Sequence, residues 1–302
     1  MPAAIGALNL GFTMSAGDAA PEHATHIFIG KISKFDFERR KQLWLTQVAA
    51  AKLKGQVALI DYTDHHLIAG SLLSSFYLEV LPLIDIIIVP THHLKSSLEI
   101  DSAITQPIFV IEEPIECSLI PPTVRSIPER RDATLWFGHE SNLAFLLHFL
   151  QRWPESAPRQ LHIIGSKKAL ELLNNSGVAA PRPIDITFHE WTVTKVEEVS
   201  HIVSTCIIPS ATSSYKSFAS ANRLVTSLSL GLPTLASLIP SYSEFSQFFC
   251  ELDAGYDEHF FTFPENFHVD IEHFQQDVLA RFSQEKIAHE WAALFSKSMV
   301  RI

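Results

Sequence analysis

Glycine is scarce in this chain, 11 residues in 302, against a usual share of about 7%. Neither G-x-G-x-x-G nor G-x-x-x-x-G-K-[ST] occurs, so a glycine cradle of the dehydrogenase or P-loop type is excluded. Cysteine is also rare. Cys117, Cys206 and Cys250 are odd in number and widely spaced, and they form neither a metal motif nor a disulfide framework. No uninterrupted apolar run approaches the roughly 18 residues that a membrane span needs. The first residues lack the basic start and apolar block of a signal peptide, so the cytoplasm is the expected location. Positive charge is in deficit, with a net formal charge of −10 and no Lys/Arg cluster, which argues against a nucleic-acid surface.

What is present is ordinary globular chemistry, 47% apolar against 19% charged, enough for a sizeable core in one large or two medium domains. After a small-residue stretch at 1–25, expected to be loosely ordered, apolar strands alternate with amphipathic helices. That pattern predicts a parallel sheet covered on both faces. Strands are expected at His26–Ile32, Gln56–Asp61, Asp85–Val89 and Pro107–Ile111, with helices at Phe37–Lys54, Ser71–Leu81 and His92–Glu99. Gly55 suits the end of the first helix. A Pro-rich, charged linker is expected over 117–133, so a first domain covers 26–116. A second alternating series from Thr134 makes a second domain, 134–283, and 284–302 reads as a final helix able to cross back to the first. The fold class is therefore α/β, as two Rossmann-like domains facing a central cleft.

The stretch from Thr205 to Tyr242 reads as a strand, a Ser-rich loop, a helix and a second strand. The helix is expected to begin near Ser220, carry Asn222 and Arg223 in its first turn, and stop at Gly231 before Pro233. Free N–H groups and the positive end of the helix dipole point back at such a loop and suit an anion. Lys216 and Arg223 supply matching charge. Arg in a first turn opposes the dipole unless something negative compensates it. An ordinary capped helix explains the same spacing.

Lys216-Ser217-x-x-x-Ala221-Asn222-Arg223, Gly231-Leu232-Pro233-Thr234 and Ile239-Pro240-Ser241-Tyr242 resemble the donor half of GT-B glycosyltransferases related to family 4. Thr134-Leu135-Trp136-Phe137-Gly138 followed by Asn142 is similar to the strand and turn that open that donor domain, and Phe188-x-x-Trp191 to a later segment. The resemblance covers roughly 132–300. It implies a nucleotide-diphosphate sugar as donor substrate, no separate cofactor or catalytic metal, and a hydroxyl acceptor (glycan, lipid-linked or protein) held by the first domain. Peripheral association with a membrane is compatible with it. In it, Gly138, His139, Asn142, Lys216, Ser220, Asn222, Arg223 and Glu112 would contact the donor.

One departure stands out. Where retaining family 4 members carry two glutamates, this chain has Phe218 and Thr226. A non-catalytic sugar- or nucleotide-binding module, or a partner subunit, is thus the alternative. For a catalytic reading, the loop Asp61-Tyr62-Thr63-Asp64-His65-His66 offers a general base, with Asp64 or His65 deprotonating the acceptor. Adjacent His65 and His66 have poor geometry for chelating one metal ion.

Overall fold

The computed structural model describes residues 10–11, 13–17, 21–32, 36–68, 71–101, 104–122, 132–155, 157–212, 215–252, 261, 263–264 and 266–299. Most of the 1–25 stretch and of the expected 117–133 linker lies outside these residues. The chain divides into two compact units. One comprises Met1–Pro114 with Ser214–Ser220 and Phe282–Ile302; the other comprises Ile115–Ser213 with Ala221–Arg281.

The first unit is built on four parallel strands, β1 (His26–Ile29), β2 (Val57–Asp61), β3 (Ile86–Val89) and β4 (Ile108–Val110), in the spatial order β1-β2-β3-β4. Helices α1 (Phe37–Leu53), α2 (Ser74–Val80) and α3 (His92–Glu99) connect them. Gly55 takes φ +75 just beyond α1, a backbone state that only glycine adopts cheaply.

Strand order and side-chain period together decide where the core lies. Successive strands step in one direction, and right-handed crossovers then place every connecting helix on one face. Ile27, Ile29, Ala58, Ile60, Ile87 and Val89 point to that face and pack with Val48, Phe76, Leu94 and Leu98 of the helices. The alternate residues Val57, Leu59, Ile86 and Ile88 point the other way and have no crossover helix to meet. The C-terminal helix α9 (Gln284–Met299) covers them with Ile287, Ala288, Trp291, Leu294 and Phe295. Trp291 meets Phe28 edge to face at 5.1 Å between ring centroids. A fully buried side chain of this kind contributes roughly 1.5–3 kcal/mol.

The second unit carries six parallel strands: β5 (Ala133–Phe137), β6 (Gln160–Gly165), β7 (Asp185–Glu190), β8 (Thr205–Ile208), β9 (Thr234–Ala236) and β10 (Cys250–Glu251). Their order is β10-β9-β8-β5-β6-β7, the doubly wound Rossmann order read from the far edge. The chain steps from β5 outward to β7, then returns to the other side of β5 and steps outward again. Helices α4 (Leu143–Leu150) and α5 (Lys167–Asn175) bury Leu143, Leu146, Phe149 and Ala169 against Trp136, Leu161, Ile163 and Ile207. Helix α6 (Val193–Ser200) packs on β5 and β6, and α7 (Asn222–Ser229) on β8 and β9. A helix α8 (Phe267–His273), a π turn at Phe274–Val278 and a 3-10 turn at Leu279–Phe282 lead back toward α9.

Pro240–Phe248 is a 3-10 helix that buries Tyr242, Phe245 and Phe248. One segment differs from the sequence expectation. The segment 214–220, expected within the second domain, belongs to the first unit.

Candidate anion site in the second unit

In a doubly wound sheet the strand order reverses at one point, and the crevice beyond the carboxyl ends of the two strands there is where ligands bind. In this sheet those strands are β5 and β8. Gly138 follows β5 and Ser210 follows β8 shortly after its end. Arg223, in the first turn of α7, reaches both. Its Nη2 donates to Ser210 Oγ at 3.0 Å. Its Nη1 lies where a Cβ on Gly138 would stand 3.6 Å away, and Trp136 would be 3.4 Å from the same point. Nη1 is buried and has no hydrogen-bond partner in the protein. An orphaned guanidinium N–H is costly in a protein interior, and an anion's oxygen removes that cost.

The start of α7 is open in the same sense. Its N-cap is Ala221, and no side chain caps the first turn. The remainder of the helix, Leu224–Ser229, is buried on every side. Its hydroxyls are absorbed internally: Ser227 Oγ donates to the Leu224 carbonyl, Ser229 Oγ to the Thr226 carbonyl, and Thr226 Oγ1 to Asn222 Oδ1 at 3.0 Å. Serine and threonine are admitted to a buried helix because each bonds back to its own preceding turn. At the other end Gln275 Nε2 donates to the carbonyls of Leu228, Ser229 and Ile120 at 2.9, 3.1 and 3.0 Å. The helix is therefore held firmly at its C-terminus and left uncapped where Arg223 begins it.

Tyr242 closes the floor of this corner. It is completely buried, and its hydroxyl lies against Arg223 and Ser210 without a hydrogen bond that satisfies it. Burial holds its phenol above the ordinary range, so it stays neutral.

Other expected donor residues stand differently. Gly138 does not take a left-handed φ, and a methyl group there would meet only ordinary van der Waals neighbours. His139 is exposed; its Nδ1 accepts the Ser141 N–H at 3.2 Å, and its Nε2 approaches Glu140 at 3.2 Å. Burial would raise the Glu140 carboxyl, but its own backbone N–H, the Ser166 hydroxyl, His139 and Lys168 hold it below the usual range. Asn142 precedes α4 without capping it. Ser220 is not at a helix start, since α7 begins at Asn222; it belongs to the first unit and donates its hydroxyl to Glu113. The Lys216 side chain lies outside the described residues.

The first unit gathers polar groups at the carboxyl edge of its own sheet. Asp64 is buried and ion-paired with Lys31. His65 is also buried, with Nδ1 3.3 Å from the Tyr62 hydroxyl and its ring edge-on to Phe218 at 4.8 Å; burial lowers its pKa. His93 stacks on Phe218 as well, at 5.0 Å between ring centroids. Asp61 stands at the end of β2. Desolvation first, and Glu113 next, raise it to about 7, with Lys31 opposing. Sequence alone shows that Asp61 and Asp64 share a loop, but not which of them is paired. Glu112 is partly buried two residues beyond β4. Among the described residues no three of His, Cys, Asp and Glu come together to hold a metal ion.

No protein-family model matches the chain, and no curated protein matches it in sequence. Solved structures do. HepE of Anabaena, in complex with UDP and glucose, is 10% identical over 85% of this chain and 76% of that one, with a TM-score of 0.60. The α,α-trehalose 6-phosphate synthase of Burkholderia multivorans is 9% identical over 90% and 79%, at 0.54. A GtfA/B complex is 13% identical over 85% and 55%, at 0.51, so this chain spans about half the length of that one. The chain shares the GT-B fold of these proteins. Among the described residues, no helix is long and apolar enough to cross a membrane.

Proposed function

We propose that the protein transfers a sugar from a nucleotide-diphosphate donor to a hydroxyl acceptor, with the donor diphosphate at the start of α7. One observation carries this reading: Arg223 presents a buried, unpartnered Nη1 at the switch point of a Rossmann-ordered sheet, in the uncapped first turn of a helix. Two fixed charge donors, the guanidinium and the helix end, stabilise a leaving diphosphate without reorganising. The complex of HepE with UDP and glucose supports the choice of donor class. The acceptor would be held by the first unit, where Asp61, raised to about 7 by burial first of all, has the proton affinity of a general base near neutral pH. No separate cofactor is required by this chemistry.

The test is calorimetric titration of UDP- and GDP-sugars into the wild type and into Arg223→Ala, with release of free nucleotide followed in parallel. Binding lost in the variant supports the site; equal affinity in both refutes it.

A binding module without turnover is the second reading, and a specific observation favours it. The two positions at which the family pattern has glutamates hold Phe218, packed against His65 and His93, and Thr226, bonded to Asn222. Tight donor binding with no nucleotide released over a broad donor panel selects this reading.

A further inference from the structure

Tyr242 is an expensive residue for this fold. Its side chain is fully buried and its hydroxyl lacks a satisfying hydrogen bond, so phenylalanine would fill the same space at lower cost to the folded state. Its own backbone N–H is paired with the Ile239 carbonyl and its ring packs against Phe249 at 6.1 Å, so packing alone does not call for the oxygen. That oxygen faces two groups, the Arg223 guanidinium and the Ser210 hydroxyl, which are themselves joined by the 3.0 Å hydrogen bond. Ser210 is in turn fixed by its backbone N–H, which donates to Ser237 Oγ at 3.1 Å.

We propose that Tyr242 is a positioning residue for the anion site: its hydroxyl, with that of Ser210, orients Arg223 so that Nη1 faces the anion. The assignment rests on the donor-diphosphate reading above and deepens it. A guanidinium on a flexible stem loses rotamer freedom when it grips a ligand, and prior fixation of its plane removes part of that cost. Ser210 supplies an acceptor for one edge of the plane. The phenol oxygen supplies partial negative charge beside the cation and blocks rotation away from the crevice. Buried and neutral, it does this without competing with the ligand's charge.

The physical signature is a pair of effects opposite in sign. Tyr242→Phe removes an unsatisfied buried hydroxyl, so the ligand-free protein melts at the same temperature or higher. The same change loosens Arg223, so affinity for UDP falls about five- to tenfold. A merely structural tyrosine would lower both together.

A double-mutant cycle with UDP as ligand, read by calorimetry, tests the assignment. In the Arg223→Ala background, Tyr242→Phe is expected to change UDP affinity less than twofold, because no guanidinium remains to be positioned. Wild-type affinity in Tyr242→Phe, or the full loss persisting without Arg223, overturns the assignment while leaving the anion site standing. If Arg223→Ala alone binds UDP like the wild type, the anion site itself falls, and the role of Tyr242 falls with it. That outcome is told apart because its arm leaves Tyr242 untouched.

Discussion

A Cβ placed on Gly231 would stand 2.6 Å from the carbonyl oxygen of Ile120, and 3.1 Å from the backbone of Pro122. Gly231 also takes φ +66 at the end of α7, where its N–H bonds the Leu228 carbonyl at 2.9 Å. The approach of the Ile120 strand of chain is itself bonded, Ile120 N–H to the Ser229 carbonyl at 2.9 Å. Gly231→Ala therefore meets both a disfavoured left-handed φ and a rigid backbone atom. It is expected to cost about 2–4 kcal/mol, by the sum of a left-handed alanine and an overpacked site. Thermal or urea unfolding of the full chain measures it; a loss under about 0.5 kcal/mol contradicts the packing described.

Asp61 links stability to pH with a definite sign. Its folded pKa of about 7 lies above the ordinary carboxylate range, so between roughly pH 4 and 7 the folded protein keeps a proton that the unfolded chain has released. The unfolded state then binds fewer protons, and stability falls as pH rises through that window. Asp61→Asn removes the effect. It is expected to stabilise the protein by about 1–2 kcal/mol at pH 8, with allowance for solvent screening of a partly exposed group, and to change little at pH 4. Urea midpoints at the two pH values decide it; equal gains at both would mean that the carboxyl titrates normally.

Ser210 is expected to matter for binding more than for folding. Its hydroxyl accepts one hydrogen bond from Arg223 Nη2, and the residue sits in a loop beyond β8 rather than in the core. Ser210→Ala is predicted to weaken UDP binding three- to tenfold, the equivalent of one charge-assisted hydrogen bond, while shifting the melting temperature by less than about 2 °C, on the order of a surface substitution. Calorimetry and thermal melts on the same preparation check both halves.

The sequence makes the strands and most helices readable because period and punctuation agree: Gly55 ends α1, Gly231 and Pro233 end α7, and the β-branched run at 86–89 and the β-branched-rich run at 205–208 leave little choice. It also points to Arg223 as a first-turn cation in need of an anion. Other features depend on tertiary partners that no local pattern announces. Ser220 reads as a helix cap but bonds Glu113, more than a hundred residues away. Asp64 and Asp61 are alike in sequence, and only the fold shows that Asp64 pairs with Lys31 while burial, with Glu113 beside it, lifts Asp61 to about 7. The short strand Cys250–Glu251 has no alternation to reveal it and exists through pairing with β9. Tyr242 reads only as the end of the Ile239-Pro240-Ser241-Tyr242 match, and its orphaned hydroxyl is visible only once Arg223 and Ser210 lie beside it.

Helix α9 is predicted to be indispensable to the first unit, for a reason of topology. A sheet ordered β1-β2-β3-β4 with right-handed connections leaves one face without a crossover helix, and Val57, Leu59, Ile86 and Ile88 point there. Trp291 is the largest side chain that α9 sets on this face; it is buried and meets Phe28 edge to face. His26 Nε2 and Ser298 Oγ, 2.8 Å apart, pin the helix near its other end. Trp291→Ala should cost about 3–5 kcal/mol through lost burial and the cavity left behind, whereas His26→Ala should cost about 1 kcal/mol as a single hydrogen bond. Hydrogen exchange then separates local from general damage. Amides of β2 and β3 should lose protection in Trp291→Ala before those of β5 and β6, because the exposed face belongs to the first sheet alone. Uniform loss across both sheets would show that α9 supports more than the face it covers.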